Sequence, residues 1–377
     1  MKGIAKKILN SLTGELSIVL PAKFEVEAEV AVPLTRGSHV LPVNIDTIPM
    51  PLQGNFNVLF ELPEVYVYEL KNVYVRYDGI IYKNFSVFEP SLPAYWFKAS
   101  FEHAPLLKQY YKAEKVNTDK DPIIVFHDMW SDNYYHWLID ALPRLLLLDS
   151  SKKKYRVGIP YYNSTKDYVK LTVDALGFTN HYIFQLDQTV SVDRVILPGR
   201  TAYGIDQNPT LLRSLREKLV AALEINKVQA HKNIFVSRGR AKTRRLKNEH
   251  EIIGTLIKHN FEIVYFEELS FLEQFVLMRE TKIMVGVHGA NLANSLFMQP
   301  GCILVELINR QHPNLVYYHM ASNLQLPYFS IPCVPDSVNP QTSDSSKIFD
   351  PNLNNADYYV EPSLFSAVLD ECVNYAK

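Results

Sequence analysis

The amino-acid sequence predicts an α/β protein of two units, each with a parallel sheet covered by helices on both faces, together with a β-rich N-terminal segment and a C-terminal helix. From residue 123 onward, short apolar runs rich in β-branched residues alternate with segments of helical periodicity, which is the pattern of parallel strands joined by crossover helices. A long helix expected at 210–223, introduced by Asn208-Pro209, divides this alternation into two series. The 377 residues are enough for two separate cores.

The composition excludes several classes of protein. A formal net charge of −1 predicts no nucleic-acid partner, and no run reaches the ~18 apolar residues of a membrane span. Three widely spaced cysteines predict neither a disulfide framework nor a zinc site, and they favour a reducing compartment. We therefore expect a cytoplasmic protein. The lysine-containing N-terminus leaves open a peripheral contact with the inner face of the membrane.

Residues 1–120 form a β-rich N-terminal segment, which we assign to the first unit. Apolar residues alternate within Val65–Tyr68 and Val73–Tyr77, as in half-buried strands. Asp78-Gly79 is typical of a hairpin turn into the next strand.

Residues 121–205 form the rest of the first unit. The apolar runs 123–126, 156–159, 181–186 and 194–197 predict strands. A helix is expected at 132–148 with Ser131 or Asp132 as N-cap, and another at 166–176 ended by Gly177.

Residues 206–345 form the second unit, and 346–377 a linker with a closing helix at 362–375. Strands are predicted at 233–237, 261–266, 283–287, 302–307 and 328–331. Helices are predicted at 248–259, where Asn248 and Glu251 suggest a capping box, at 270–279, and at 291–298.

The first candidate constellation lies on the helix at 132–148. Asn133, His136, Asp140 and Arg144 share one face of an otherwise apolar helix. A histidine and an aspartate one turn apart suit general base catalysis, with either His136 or Asp140 taking the proton and Asp128 as the third candidate. The alternatives are a structural network in which Arg144 pairs with Asp140, and a two-ligand metal site.

The second constellation is a loop of basic residues between a strand and a helix, in a protein that is otherwise nearly neutral. Guanidinium groups bind phosphate oxygens bidentately, so this loop suits a diphosphate. Arg238, at the edge of the strand, fits a solvated charge run poorly. The loop contains Lys232, Arg238, Arg240, Lys242, Arg244, Arg245 and Lys247.

The third constellation is the strand–turn–helix at 281–307. His288-Gly289-Ala290 follows a buried strand, and such turns present backbone N–H groups to anions. Glu306 ends the next strand, where an acid could accept ribose hydroxyls, by analogy with the acid of dinucleotide sites.

Three motifs in this order resemble the core of the family-61 glycosyltransferases. They are NYYHWLIDALPRL, VSRGRAKTRRLKNEHEI and VGVHGANLANSLFMQPGCILVEL, within residues 123–310. The resemblance implies a GT-B fold with two Rossmann-like domains that face a cleft. It also implies an inverting, metal-independent transfer from a nucleotide sugar, expected to be UDP-linked, to a glycan or glycolipid acceptor.

The resemblance also implies which residues bind the donor. They are Ser237, Arg238, Arg245, Asn248, His288, Gly289, Ala290 and Glu306. Asn291 stands where the family commonly has glycine, and Ala293 where threonine is common, so Asn291 is the position at which we look for donor choice. No metal ligand is expected, since Asp119-Lys120-Asp121 precedes its strand instead of following it.

The sequence thus predicts a glycosyltransferase of the bacterial type, acting in the synthesis of a capsular or other surface polysaccharide. The acceptor would bind to the first unit and the donor to the second. The competing hypothesis is a non-catalytic protein that binds a glycan or a nucleotide on the same scaffold.

Overall fold

A computed structural model describes residues 24–83, 86–94, 112–149, 154–223, 227–336 and 355–377. The chain forms two compact units. The first consists of the chain up to Thr35 and of Pro63–Thr201, and the second consists of Arg36–Leu62 and Ala202–Lys377. Residues 36–62, which we assigned to the N-terminal segment, thus group with the second unit. The N-terminal membrane contact and most of the linker after Asp336 lie outside the described residues.

The strands of the described residues, in chain order, are β1 Glu25–Val32, β2 Thr35–Ser38, β3 Leu59–Leu62, β4 Val65–Arg76, β5 Ile81–Lys83, β6 Ser86–Val87, β7 Glu114–Val116, β8 Ile123–Ile124, β9 Arg156–Pro160, β10 His181–Phe184, β11 Thr189–Pro198, β12 Ala202–Tyr203, β13 Asp206–Gln207, β14 Lys232–Val236, β15 Phe261–Val264, β16 Thr281–Val287, β17 Ile303–Asn309, β18 Tyr328–Pro335 and β19 Tyr358–Tyr359.

The α-helices there are α1 Met50–Gln53, α2 Leu142–Leu145, α3 Tyr161–Ser164, α4 Asp167–Ala175, α5 Pro209–Leu223, α6 Glu249–Lys258, α7 Phe271–Glu280, α8 Val316–Asn323 and α9 Pro362–Tyr375. A π-helix spans His136–Ala141, and 3₁₀ turns span Ile45–Thr47, Glu89–Ser91, Phe266–Glu268 and Ala290–Phe297.

The sheet of the first unit is mixed, and the four strands for which the sequence predicted parallel pairing form a parallel part of it. Its order is β10-β9-β8-β11-β4-β5-β6, and the pairs among β10, β9, β8 and β11 are parallel. β4 runs antiparallel to β11, β1 and β5. The alternating burial of β4 is that of an antiparallel strand with one face in the core, as predicted for the β-rich segment, and the Asp78-Gly79 turn joins β4 to β5 as a hairpin.

The main sheet of the second unit follows the prediction more closely. Its order is β15-β14-β16-β17-β18-β19, and every pair except β18 with β19 is parallel. β16 and β17 are buried almost throughout, as expected for strands covered on both faces. The order of the first five strands, second-first-third-fourth-fifth along the chain, makes a topological switch point between β14 and β16. Ligands of such sheets bind at the carboxyl ends of the strands at this point.

The helix predicted at 132–148 is shorter and partly π-helical. The helix begins at Tyr134, directly after Asn133. The Asn133 side chain accepts a hydrogen bond of 2.9 Å from the backbone N–H of Tyr135, as an N-cap residue does. Ser131 and Asp132 are therefore not the N-cap. Pro143 explains the wide turn, because proline cannot donate to the carbonyl four residues earlier and its ring would collide with it.

Two further local predictions are corrected. Asn248 does not cap α6 with its side chain, because its amide pairs with both backbone groups of Val360 at 2.8 and 3.1 Å. The segment after Gly289 is a 3₁₀ turn and not the start of an α-helix. The sequence analysis also missed α8, which is buried almost all around and so lacks an amphipathic pattern.

The described helices include none that is long and apolar enough to cross a bilayer. Cys302, Cys333 and Cys372 are buried free thiols, which agrees with the prediction of no disulfide framework.

Candidate functional site

The switch point of the second unit brings two predicted residues together. Arg238 follows the end of β14 and His288 follows the end of β16, and these neighbouring parallel strands end at the same edge of the sheet. Gly289 lies directly against the Arg238 guanidinium. A Cβ built on Gly289 would lie 2.3 Å from Nη1 of Arg238 and 3.0 Å from its Cζ. Three of the residues assigned to donor binding therefore form one contiguous surface.

The backbone of Gly289 does not require glycine by its φ angle, which is 171° and extended. What requires glycine is space for Arg238. The Gly289 carbonyl also accepts a hydrogen bond of 2.7 Å from the Tyr317 hydroxyl, which fixes the turn from the side of α8.

The Arg238 side chain is held by its own loop. Its Nε donates to the Arg244 carbonyl at 3.2 Å, and its Nη2 donates to the Thr243 carbonyl at 3.0 Å. Burial, and then the neighbouring Arg244 charge, lowers the pKa of Arg238, but an arginine stays charged at neutral pH. Nη1 has no hydrogen-bond partner among the described residues, which leaves this donor of a largely buried arginine for an anion.

His288 is oriented by a buried carboxylate. Its Nδ1 lies 2.5 Å from Oε1 of Glu306, and the Tyr328 hydroxyl donates to Oε2 of the same carboxylate at 2.6 Å. Burial, and then the Glu306 charge, raises the pKa of Tyr328 well above its ordinary value, so its hydroxyl stays a donor. Because Nδ1 is engaged, Nε2 is the atom with which His288 can meet a ligand.

This arrangement corrects the role assigned to Glu306. The side chain is fully buried and both of its oxygens are hydrogen-bonded inside the protein, so it does not reach a ribose. The prediction that Glu306 ends its strand is wrong, because β17 continues to Asn309 and Glu306 lies in its middle. Its observed contact is with His288, as a positioning residue.

Arg244 is the residue of this site that the sequence analysis did not assign. Its φ of 56° is in the left-handed region, which is strained for a side-chain-bearing residue and is a common feature of binding loops. Its buried Nε has no hydrogen-bond partner among the described residues. The sequence contains two adjacent arginines, Arg244 and Arg245, and does not show which of them lines the cavity. In the structure Arg244 lines it, and Arg245 pairs with Asp357.

A cavity of about 190 Å³ opens beside His288, and its walls are mostly polar. Its lining comprises Arg244, His288, Ile308, Asn309, His312, Asn314, Asn355 and Tyr358. One guanidinium group, two imidazoles and three amides around one opening can bind a charged, hydroxyl-bearing ligand.

The remaining predicted donor residues have structural partners. Arg245 forms a bidentate pair with Asp357, with Nε at 3.0 Å and Nη2 at 2.8 Å from Oδ2. Ser237 is fully buried, donates to Glu249 at 2.7 Å and accepts from the Gly239 backbone at 3.0 Å. With the Asn248–Val360 pair, these contacts fold the loop that presents Arg238 and Arg244.

Ala290 and Asn291 begin the 3₁₀ turn, and both are half-buried. The amide of Asn291 donates to Glu267 at 3.4 Å. The Glu267 charge in turn raises the pKa of Arg238, against the larger lowering by burial and by the Arg244 charge. A residue at position 291 can thus act on the site through an acid that neighbours the guanidinium.

The first unit contains the predicted histidine–aspartate pair. Nδ1 of His136 lies 2.6 Å from Oδ2 of Asp140, and the two side chains are 33% and 15% exposed. The Trp130 and Tyr135 rings flank the imidazole, with centroids 5.4 and 5.2 Å from it. Nε2 of His136 is therefore left for a substrate, and the sequence analysis did not assign the aromatic Trp130 beside it.

Asp128 and Arg144 have other surroundings. Asp128 is buried and forms an ion pair with Arg200. Burial opposes its ionisation, but the Arg200 and Arg144 charges outweigh burial and hold its pKa below the usual value, which makes it a weak base. Nε of Arg144 donates to the Pro198 carbonyl at 2.8 Å, so this residue has a structural contact, although with a partner other than the predicted Asp140.

Comparisons with known proteins agree with the resemblance of the three motifs. Residues 134–305 match the model of the family Glycosyltransferase 61, which is just under half of the chain. The EGF domain-specific O-linked N-acetylglucosamine transferase of Drosophila melanogaster is 33% identical over 113 residues, 28% of this chain and 22% of that protein.

A second relative covers more of the chain. The protein O-linked-mannose beta-1,4-N-acetylglucosaminyltransferase 2 of Tetraodon nigroviridis is 24% identical over 216 residues, 54% of this chain and 34% of that protein. The chain thus spans about a fifth and about a third of the length of these two curated relatives. The matched region and both relatives support the prediction of a glycosyltransferase. The relatives are eukaryotic, and neither is a capsular enzyme by its name.

Proposed function

We propose that this chain, in which residues 134–305 match the glycosyltransferase 61 family, transfers N-acetylglucosamine from a UDP-linked donor to an acceptor hydroxyl. The observation that carries the proposal is the position of two arginines at the switch point of the second unit. The Arg238 guanidinium lies against Gly289, and Arg244 lines the cavity together with His288. The sugar is chosen because the names of both relatives contain N-acetylglucosamine.

In this proposal the second unit binds the donor and supports the departure of its diphosphate. Nη1 of Arg238 and the Arg244 side chain bind phosphate oxygens, and they stabilise the charge that develops when the bond from the anomeric carbon to the diphosphate breaks. These fixed cations take the place of a metal ion in the transfer step. Nε2 of His288, oriented by Glu306, adds a donor or an acceptor for the same ligand.

The first unit binds the acceptor and supplies the base. Nε2 of His136 takes the proton of the acceptor hydroxyl, and Asp140 orients the ring and stabilises the imidazolium. The hydroxyl oxygen then forms a bond to the anomeric carbon on the face opposite to the leaving diphosphate, which inverts the configuration. Trp130, whose ring lies beside His136, would form part of the wall of this acceptor site. The two units are proposed to be the lobes of a GT-B enzyme.

For the acceptor we retain the hydroxyl of a glycan or glycolipid, in the synthesis of a surface polysaccharide. A second candidate is a protein-linked hydroxyl. The names of the two relatives favour it, because one refers to EGF domains and the other to O-linked mannose. The two candidates differ in the acceptor alone and share the donor site.

The experiment combines donor binding with transfer. The affinity for UDP and UDP-N-acetylglucosamine is measured by calorimetry with and without Mg²⁺ or Mn²⁺, and transfer is followed with glycan and O-mannosyl peptide acceptors. We expect UDP to bind without a gain from either ion. Arg238→Ala or Arg244→Ala should lower turnover by on the order of 10²-fold or more.

The control variant is Arg240→Ala. Arg240 belongs to the same loop, but it is 55% exposed and pairs with Glu268. It should therefore keep near-normal binding and turnover. Equal losses in all three variants, or a strict need for a metal ion to bind UDP, would refute the donor site. Donor binding without transfer to any acceptor would favour the non-catalytic hypothesis.

A further inference from the structure

A second cluster of ligand atoms lies in the same unit, away from the residues assigned to the transfer. It consists of His39, which follows β2, Asp206 in β13 and His319 in α8. One nitrogen from each histidine and one carboxylate oxygen lie within 4.8 Å of one another. Among the described residues this is the one group of three such side chains with that spacing.

The distances are those of a site that converges on one point. Nε2 of His39 lies 3.1 Å and Nδ1 of His319 lies 2.7 Å from the same oxygen, Oδ1 of Asp206. A tetrahedral zinc ion with bonds of ~2.0–2.2 Å holds its ligand atoms roughly 3.4 Å apart. A small outward movement of the three side chains would therefore admit an ion between them.

Hydrogen bonding does not account for the position of His319. Its Nδ1 approaches Asp206 without the angles of a hydrogen bond, and neither ring nitrogen has a hydrogen-bond partner among the described residues. The ring is only 5% exposed, so water does not readily replace these bonds. An ion bound to Nδ1 would satisfy that nitrogen and compensate the charge of the carboxylate.

The surroundings favour a bound cation over a pair of protonated rings. The His39 and His319 rings stack with centroids 4.1 Å apart, so two imidazolium charges there would repel each other. Phe60 stacks on the other side of His39 at 4.8 Å, which keeps the histidines dry. The Asp206 side chain is 27% exposed and provides the open side, where a water molecule can complete the coordination.

From this geometry we propose that His39, Asp206 and His319 bind a divalent cation of the zinc class, which prefers imidazole and carboxylate ligands. The ion has a structural role. It fastens the segment 36–62, through His39, to α8 and β13, which come from the last half of the chain. α8 also carries Tyr317, whose hydroxyl holds the Gly289 turn, so the ion would stiffen the support of the donor site. The transfer step itself does not pass through this ion.

The test measures metal binding and needs no activity. The full chain, purified without a polyhistidine tag and stripped with a chelator, is titrated with Zn²⁺ by calorimetry and with Co²⁺ by visible absorption. We expect about one equivalent per chain, a tetrahedral Co²⁺ spectrum, and a higher Tm in the presence of Zn²⁺. Failure of the stripped wild-type chain to take up either ion would overturn the proposal, whatever the variants do.

Two variants and a control assign the ligands. Asp206→Asn keeps the shape of the side chain, and His319→Gln keeps a polar group. Substitution of a residue that only contacts a metal ligand weakens metal binding roughly 10- to 100-fold, and each of these two variants should weaken Zn²⁺ binding by more than that. His250→Ala, which removes a histidine that is 76% exposed in the same unit, should bind like the wild type. Undiminished uptake by Asp206→Asn would place the ion elsewhere and refute the assignment.

Discussion

Replacing Gly289 by alanine tests whether the close approach of the Arg238 guanidinium is needed for donor binding. The added Cβ would lie 2.3 Å from Nη1 and 3.0 Å from Cζ, whereas carbon and nitrogen atoms in contact lie ~3.5 Å apart. The guanidinium must therefore move by about 1 Å. The extended φ of 171° tolerates alanine, so the effect is one of space and not of backbone strain.

The magnitude follows from what the movement breaks. Arg238 is held by two hydrogen bonds to loop carbonyls, and Nη1 is the donor left for phosphate. Hydrogen bonds to charged groups contribute about 1.5–3 kcal/mol each, so the loss of one phosphate contact should weaken UDP about 10- to 100-fold. Calorimetry with UDP measures this change directly.

The controls separate space from folding. Gly254→Ala adds a methyl group to α6 with no atom within 4 Å of it, and it should leave UDP affinity unchanged. The double variant Gly289→Ala/Arg238→Ala should bind UDP no more weakly than Arg238→Ala alone, because both changes remove the same contact. Wild-type affinity in Gly289→Ala would refute the reasoning, since the guanidinium would then be free to move without consequence.

Three further expectations concern single side chains. His136→Ala should lower the transfer rate by about 10²-fold or more and leave UDP binding unchanged, and Asp140→Asn should lower the rate less. Steady-state kinetics measures the rate and calorimetry measures UDP binding. A loss of UDP affinity in either variant would contradict the assignment of the base and the donor site to different units. Glu306→Gln should lower the affinity for UDP about 10-fold, because His288 loses the carboxylate that orients it. Unchanged affinity would show that the carboxylate has only a packing role. Burial lowers the pKa of His127 from 6.5 to about 4, so as the pH falls the unfolded chain binds a proton at this histidine before the folded chain does. The free energy of unfolding should therefore fall by on the order of 3 kcal/mol between pH 6.5 and pH 4. Denaturant unfolding at a series of pH values measures this fall, and His127→Gln should make it smaller.

The sequence predicted the second unit well because its strands are continuous apolar runs with turn signals between them. The positions of β14, β16 and β17 followed from composition alone, and so did the strand-end locations of Arg238 and His288. The antiparallel pairing of β4 with β11 was not predictable in this way. It depends on which strands meet in space, and the register between residues 67–76 and 189–198 leaves no local signal.

The candidate site was predictable in outline and not in detail. Residue type and spacing predicted that Arg238, Gly289 and His288 lie at one edge of the sheet. They could not distinguish Arg244, which lines the cavity, from Arg245, which has a structural partner. Arg245 is paired with Asp357, which lies 112 residues later and only the fold brings near. The His39–Asp206–His319 cluster was out of reach for the same reason, since its members are separated by 167 and 113 positions (206 − 39 and 319 − 206).

The excursion of residues 36–62 into the second unit has a consequence for synthesis of the chain. Asn44 pairs with both backbone groups of Ser330, so this segment is synthesised 286 residues before its partner. At roughly 5–20 residues per second, its apolar side chains wait on the order of 15–50 s on the ribosome. A chaperone that binds nascent chains would be expected to occupy this segment, and slow release there would set the pace at which active protein accumulates.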